Sequence, residues 1–263
     1  MSLVSGQMHA EVRGDGRAPY LLLVHGICSS RAQWRPNLAA LAEVCTPVVV
    51  ELLGHGRSES PADPGAYRVE AYVERFEAIR ESLGAARWAI CGQSFGAGLT
   101  LNYALACPDR ISAQIFTNTA SGLGPRRPEL SGEARDQRIA AFEAGGRSGL
   151  AAMAFYPRRT GRLAAAVEDE LVRDAELISL GGMARSLTVT VPGLSVAGRL
   201  GEIATPSLLV NGRREKRFQP LRDHAAKTIR DLEVVDLEGG HPINLDQPTA
   251  FNAAVMAFLE RRR

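Results

Sequence analysis

The chain has 263 residues, 45% hydrophobic and 23% charged, which excludes a disordered, collagenous or coiled-coil protein and allows a sizeable buried core. With 31 basic and 29 acidic residues the formal charge is only +2, so the overall balance points to neither nucleic acid nor an acidic membrane surface. The two lysines, Lys216 and Lys227, do not follow glycines, and the Gly-Lys-Ser/Thr core of a phosphate-binding loop is absent.

In chain order, apolar runs alternate with helical patterns: a strand over 20–24, a helix over 31–42, a strand over 47–51 and a helix over 69–83. A strand over 88–91, a helix over 95–106 and a strand over 111–118 continue the rhythm. Strands this apolar, without clean alternation, suit a parallel sheet covered on both faces. At 122–128 a Gly/Pro/Arg breaker cluster begins a stretch that stays helical to about residue 200. Strands over 207–211 and 233–237, with helices over 221–229 and 249–261, then complete the pattern. The fold expected is α/β, a mostly parallel doubly wound sheet. Residues 1–121 and 203–263 would form its core and 122–202 an inserted helical cap.

Cys28, Cys45, Cys91 and Cys107 are widely spaced, with no Cys-x-x-Cys and no zinc-ligand spacing, and read as reduced structural thiols. No stretch approaches a membrane span, and the N-terminus lacks an apolar signal region. A cytoplasmic protein without membrane or nucleic-acid partners, monomeric or homodimeric, is expected.

The sharpest chemical signal is Gly92-Gln93-Ser94-Phe95-Gly96, directly after one predicted strand and directly before a helix. That is the setting of a nucleophile elbow, where a serine on a tight, strained turn projects above the sheet at a helix N-terminus. A serine hydroxyl needs a base. Of the five histidines, His241 lies in the loop between the last strand and the last helix, at the end of the sheet where such folds assemble their sites. His25 and His55 read as turn or wall residues, and His9 and His224 as peripheral. The base in turn needs a carboxylate to orient it, and Glu215 is the only one in the turn after the strand over 207–211. Arg213, Arg214, Lys216 and Arg217 flank it. They would favour its ionised form or draw it into a surface ion pair.

The order Ser94, Glu215, His241, together with His25-Gly26, Gly54-His55-Gly56-Arg57-Ser58 and a helical insertion before the acid, resembles the α/β-hydrolase superfamily over nearly the whole chain. The resemblance implies an oxyanion hole formed by the backbone N–H groups of Ile27 and Phe95, and needs no cofactor or metal. It departs from the family pattern at Glu215, where aspartate is the common acid. Residues 118–124 and 240–248 look like the 3-oxoadipate enol-lactonase branch and related carboxylesterases. Serine at the elbow argues against epoxide hydrolase and haloalkane dehalogenase activity.

The expected activity is hydrolysis of an ester, lactone or thioester of a small acyl substrate through an acyl-enzyme on Ser94. Two other readings stay open: carbon–carbon hydrolysis, lyase, cyclase or acyl-transfer chemistry on the same residues, and a ligand sensor with negligible turnover. Trp34, Phe95, Met153, Phe155, Tyr156 and Met183 are candidates for the pocket lining. Arg126, Arg127, Arg158, Arg159 and Arg162 read as a solvated face that could also receive a substrate carboxylate.

Overall fold

The computed structural model describes residues 2–5, 7–14, 16–17, 19–159 and 163–262. These residues form an eight-stranded sheet in the order β1-β2-β4-β3-β5-β6-β7-β8. The strands are β1 (Ser2–Ser5), β2 (Met8–Val12), β3 (Tyr20–Val24), β4 (Thr46–Val50), β5 (Trp88–Gly92), β6 (Ile111–Thr117), β7 (Ser207–Gly212) and β8 (Leu232–Leu237). β3 to β8 pair in parallel, and β1 and β2 add an antiparallel edge. The apolar strands follow from burial on both faces. In β3, Leu21 and Leu23 pack on one side with Trp34, Phe251 and Phe258, while Leu22 and Val24 pack on the other with Tyr72, Phe76 and Tyr103.

The helices supply those faces. They are α1 (Arg35–Leu41), α2 (Val69–Ser82), α3 (Phe95–Ala106), α4 (Ala120–Leu123), α5 (Gly132–Ala151), α6 (Ala165–Ala175), α7 (Leu180–Arg185), α8 (Val191–Gly193), α9 (Gln219–Thr228), α10 (Ile243–Asp246) and α11 (Pro248–Arg261). α1 and α11 cover one face. α2 and α3 cover the other, which α9 extends.

Two features differ from the sequence expectation. The hairpin β1–β2 is absent from the sequence expectation, because its alternation of Met8, Ala10 and Val12 with His9 and Glu11 is short. β2 is a strand by virtue of pairing with β4, Ala10 opposite Val50. The helix expected over 31–42 begins as a 3₁₀ turn, Arg31–Trp34, because Ser30 accepts the Ala32 N–H and Pro36 sits in the first turn of α1.

The segment between β6 and β7 contains no strand among its described residues. Its two ends pack into the sheet's own helices: Leu123, Val196 and Leu200 join Ala97 and Leu101 of α3. Its middle lies over the carboxyl ends of β3 and β5, where Leu150, Tyr156, Ile178 and Met183 pack on Cys28. Among the described residues no helix is long and apolar enough to cross a membrane.

Candidate active site

The turn from β5 into α3 is built by two glycines. A Cβ at Gly92 would lie 2.5 Å from the Gly96 carbonyl, and one at Gly96 would lie 2.3 Å from the Val24 carbonyl. Only glycine lets the helix start this close to both strands. Between them Ser94 is held at φ 52°, ψ −108°, a conformation non-glycine residues rarely adopt. Its hydroxyl stands at the N-terminus of α3.

A second close approach joins the turns after β7 and β8. A Cβ at Gly212 would sit 2.0 Å from the Gly240 carbonyl, so glycine is required there too. The Arg214 N–H donates to the Gly239 carbonyl at 2.9 Å, and the Gly240 N–H donates to Asp246 Oδ2 at 2.6 Å. His241 and Glu215 are thereby brought together. His241 Nδ1 lies 2.9 Å from Glu215 Oε2, and His241 Nε2 lies 2.8 Å from Ser94 Oγ. An ionised carboxylate only accepts, so Nδ1 carries the hydrogen and Nε2 presents its lone pair to the serine hydroxyl.

Burial pushes the Glu215 carboxyl up, but the hydrogen bond and charge of His241 and a hydrogen bond from Asn118 outweigh it. The group stays below the usual carboxylate range. The flanking basic residues do not set this ionisation, contrary to the sequence expectation. Arg213 turns away to Glu238 at 2.8 Å, and Arg214, Lys216 and Arg217 are exposed. Asn118 was not singled out for this role from the sequence.

Ile27 and Phe95 offer backbone N–H groups that have no partner among the described residues. The loop carrying Ile27 is bracketed by two buried histidines. His25 donates Nδ1–H to the Gly26 carbonyl at 2.7 Å and accepts the Leu52 N–H at 3.1 Å. His55 donates Nδ1–H to the Leu53 carbonyl at 3.0 Å and accepts the Cys28 N–H at 3.3 Å. Cys28 itself sits at φ 57°, held there next to Ile27. Burial lowers the pKa of His25 to about 3 and of His55 to about 4, so both rings are neutral. The loop is also tied to α6, where Ser30 Oγ donates to Asp174 at 2.6 Å and Arg35 pairs with Glu170 at 2.7 Å.

Above Ser94 and His241 lies a cavity of about 440 Å³. Its walls are mainly apolar, with Ile27, Phe155, Pro157, Leu163, Leu171 and Leu245 among them, and Gln33, Gln93, Arg214 and Asp246 supply polar edges. Of the lining residues expected from sequence, Phe155 is there. The others are placed elsewhere. Trp34 is fully buried against Phe251 on the far face, with ring centroids 6.2 Å apart, and Phe95 points into the core beneath the elbow. Met153, Tyr156 and Met183 pack around Cys28. Large apolar side chains fill the interior before they line a cleft. The leucines that do line it are recognisable only from the face on which α6 and α10 dock. The arginines expected as a solvated face fit that reading at Arg126, Arg127 and Arg158, which are exposed and outside the lining. Arg162 lies outside the described residues, as does the side chain of Arg159.

A mostly parallel sheet with a serine on the sharp turn after β5 defines the α/β-hydrolase class. A family model described as the alpha/beta hydrolase fold matches residues 19–248, so the chain belongs to that family and is an enzyme. It is similar to 3-oxoadipate enol-lactonase 2 of Acinetobacter baylyi, with 26% identity over 254 residues covering 94% of this chain and 91% of that protein. Carboxylesterase YbfK of Bacillus subtilis is 23% identical over 257 residues, covering 97% of this chain and 84% of the relative. Among solved structures, the enol-lactonase from Burkholderia xenovorans LB400 superposes with a TM-score of 0.82 at 23% identity, covering 99% of this chain and 100% of that one.

Proposed function

We propose that the enzyme is a serine hydrolase that cleaves an ester, lactone or thioester of a small to medium, largely apolar acyl group. The observation that carries this reading is the continuous relay Ser94–His241–Glu215, at 2.8 and 2.9 Å, opening into an apolar cavity beside two N–H groups without a partner among the described residues. His241 takes the Ser94 proton as Oγ attacks the acyl carbon and returns it to the leaving group, and Glu215 stabilises the imidazolium between the two transfers. The Ile27 and Phe95 N–H groups receive the oxyanion. Losing one such donor costs roughly 100- to 1,000-fold in other enzymes. Water, activated by the same histidine, then releases the acid.

Residues 122–202 act as a cap that selects the acyl group, because Phe155, Pro157, Leu163 and Leu171 of that segment wall the cavity. The names of the relatives supply a lactone and simple carboxylic esters as first substrates to try. Arg214 at the cavity edge makes no side-chain ion pair or hydrogen bond among the described residues, which leaves room for an anionic substituent there.

The test uses Ser94→Ala purified free of host esterases. p-Nitrophenyl butyrate turnover should fall by at least about 1,000-fold, and a fluorophosphonate should add its mass to the wild type and not to the variant. Retained turnover or labelling would remove Ser94 from the nucleophile role.

A further inference from the structure

Asn118 follows β6 directly and is fully buried. Its side chain bonds both main-chain groups of Gly212 at the end of β7, Oδ1 accepting the N–H at 2.9 Å and Nδ2 donating to the carbonyl at 3.1 Å. The same Nδ2 donates to Glu215 Oε2 at 2.7 Å. The amide orientation is dictated by its partners, since the Gly212 N–H can only donate and the carboxylate and carbonyl can only accept. Oε2 is also the atom that receives the His241 Nδ1–H. A glutamate carries one more rotatable bond than an aspartate and needs an anchor to point one oxygen at one target.

We propose that Asn118 is a positioning residue: its amide aims the Glu215 carboxylate at His241 and ties that aim to the turn after β7. The inference rests on the assignment of Ser94, Glu215 and His241 as the reacting relay. Glu215's depressed pKa, to which Asn118 contributes after His241, agrees with it. Apart from His241, no charged side chain described around Glu215 holds its carboxylate. Arg213 is paired with Glu238, Asp236 with Arg222, and Asp246 accepts from Gly240. Arg214, Lys216 and Arg217 are exposed on the turn itself. Gln219 holds the Glu215 main-chain carbonyl, at 3.0 Å, and not its carboxylate.

A residue that merely ties β6 to β7 would, when changed, lower the melting temperature and leave the chemistry of the folded enzyme alone. Asn118→Asp keeps the shape and the acceptor for Gly212 but puts a second carboxyl where the amide now lies 2.7 Å from Glu215 Oε2, and two carboxyls that close must share a proton. Its kcat on p-nitrophenyl butyrate should fall about 10- to 100-fold with KM within about twofold. The fall should deepen as the pH drops, because a Glu215 that shares a proton no longer carries the full charge that stabilises the imidazolium. Asn118→Ala should lower kcat about tenfold without that pH dependence. Asn118→Ser stands in, with the same expected fall in kcat, if the aspartate variant does not fold. Variants with lowered melting temperatures but wild-type kcat and pH profile would overturn the proposal. Glu215→Gln, run in parallel, separates the two levels. If it turns over like the wild type, the relay reading fails and the Asn118 role with it; if it is slow while the Asn118 variants are not, only the Asn118 role fails.

Discussion

The carboxyl ends of β3, β4 and β8 carry histidines whose hydrogen-bond partners differ in kind. His25 and His55 are sealed from solvent, and each spans a main-chain N–H and a main-chain carbonyl. Neither partner can exchange a proton near neutral pH, so each ring works as a bracket for the Ile27 loop. The His241 side chain is 44% exposed and spans a carboxylate and a hydroxyl. The hydroxyl can give up its proton and the carboxylate can stabilise the imidazolium that forms, so that ring has the partners of a proton relay. What separates a bracket from a relay is the chemistry of the two groups each ring touches, with burial second.

Substitutions break this comparison in decreasing order of effect. His241→Ala removes the proposed base, and kcat on p-nitrophenyl butyrate should drop about 10,000-fold or more while the circular dichroism spectrum stays native. His55→Leu removes only the bracket on Cys28. The Ile27 N–H then loses its fixed direction, and kcat should fall about 10- to 100-fold with little change in KM. A fall equal to that of His241→Ala would mean that His55 meets the reacting atoms itself.

The smallest effect is on stability. Both bracket histidines have folded pKa values, about 3 and about 4, below their ordinary 6.5. Below pH 6.5 the unfolded chain therefore binds protons that the folded chain refuses. Their stabilising contribution is complete above pH 6.5 and is withdrawn as the pH falls towards 4 and then 3. The melting temperature should decline over that range, and less steeply in a His25→Asn/His55→Asn variant. Equal slopes for the two proteins would show that other groups govern acid unfolding.

Much of the fold is legible in the sequence, for local reasons. β3, β4, β5 and β7 are apolar runs because helices cover both faces, and the glycines at 92 and 96 mark a turn where chain must touch chain. The hairpin β1–β2 was not legible, since its weak alternation becomes a strand only against β4. The site was legible in part. Ser94, Glu215 and His241 each stand in the turn after a strand, at an end of the sheet that the order of elements predicts. The pocket was not, because Trp34, Met153, Tyr156 and Met183 are large and apolar enough to be interior residues. Apart from Phe155, the walls are mostly aliphatic residues such as Ile27, Leu163, Leu171 and Leu245, indistinguishable in sequence from core. Asn118 reads in sequence as an ordinary polar residue at a strand end, and its three hydrogen bonds exist only because β6 and β7 are neighbours.

The sequence by itself determined which reactive groups the chain possesses and the end of the sheet at which they collect, because strand order and glycine turns are written in short stretches of chain. Tertiary structure decided which groups the His25 and His55 rings span, what holds Glu215 against His241, and which side chains wall the cavity. Those depend on burial and on partners from separate parts of the chain, 27 residues apart for His25 and Leu52 and 97 for Asn118 and Glu215, which meet only when the sheet is assembled.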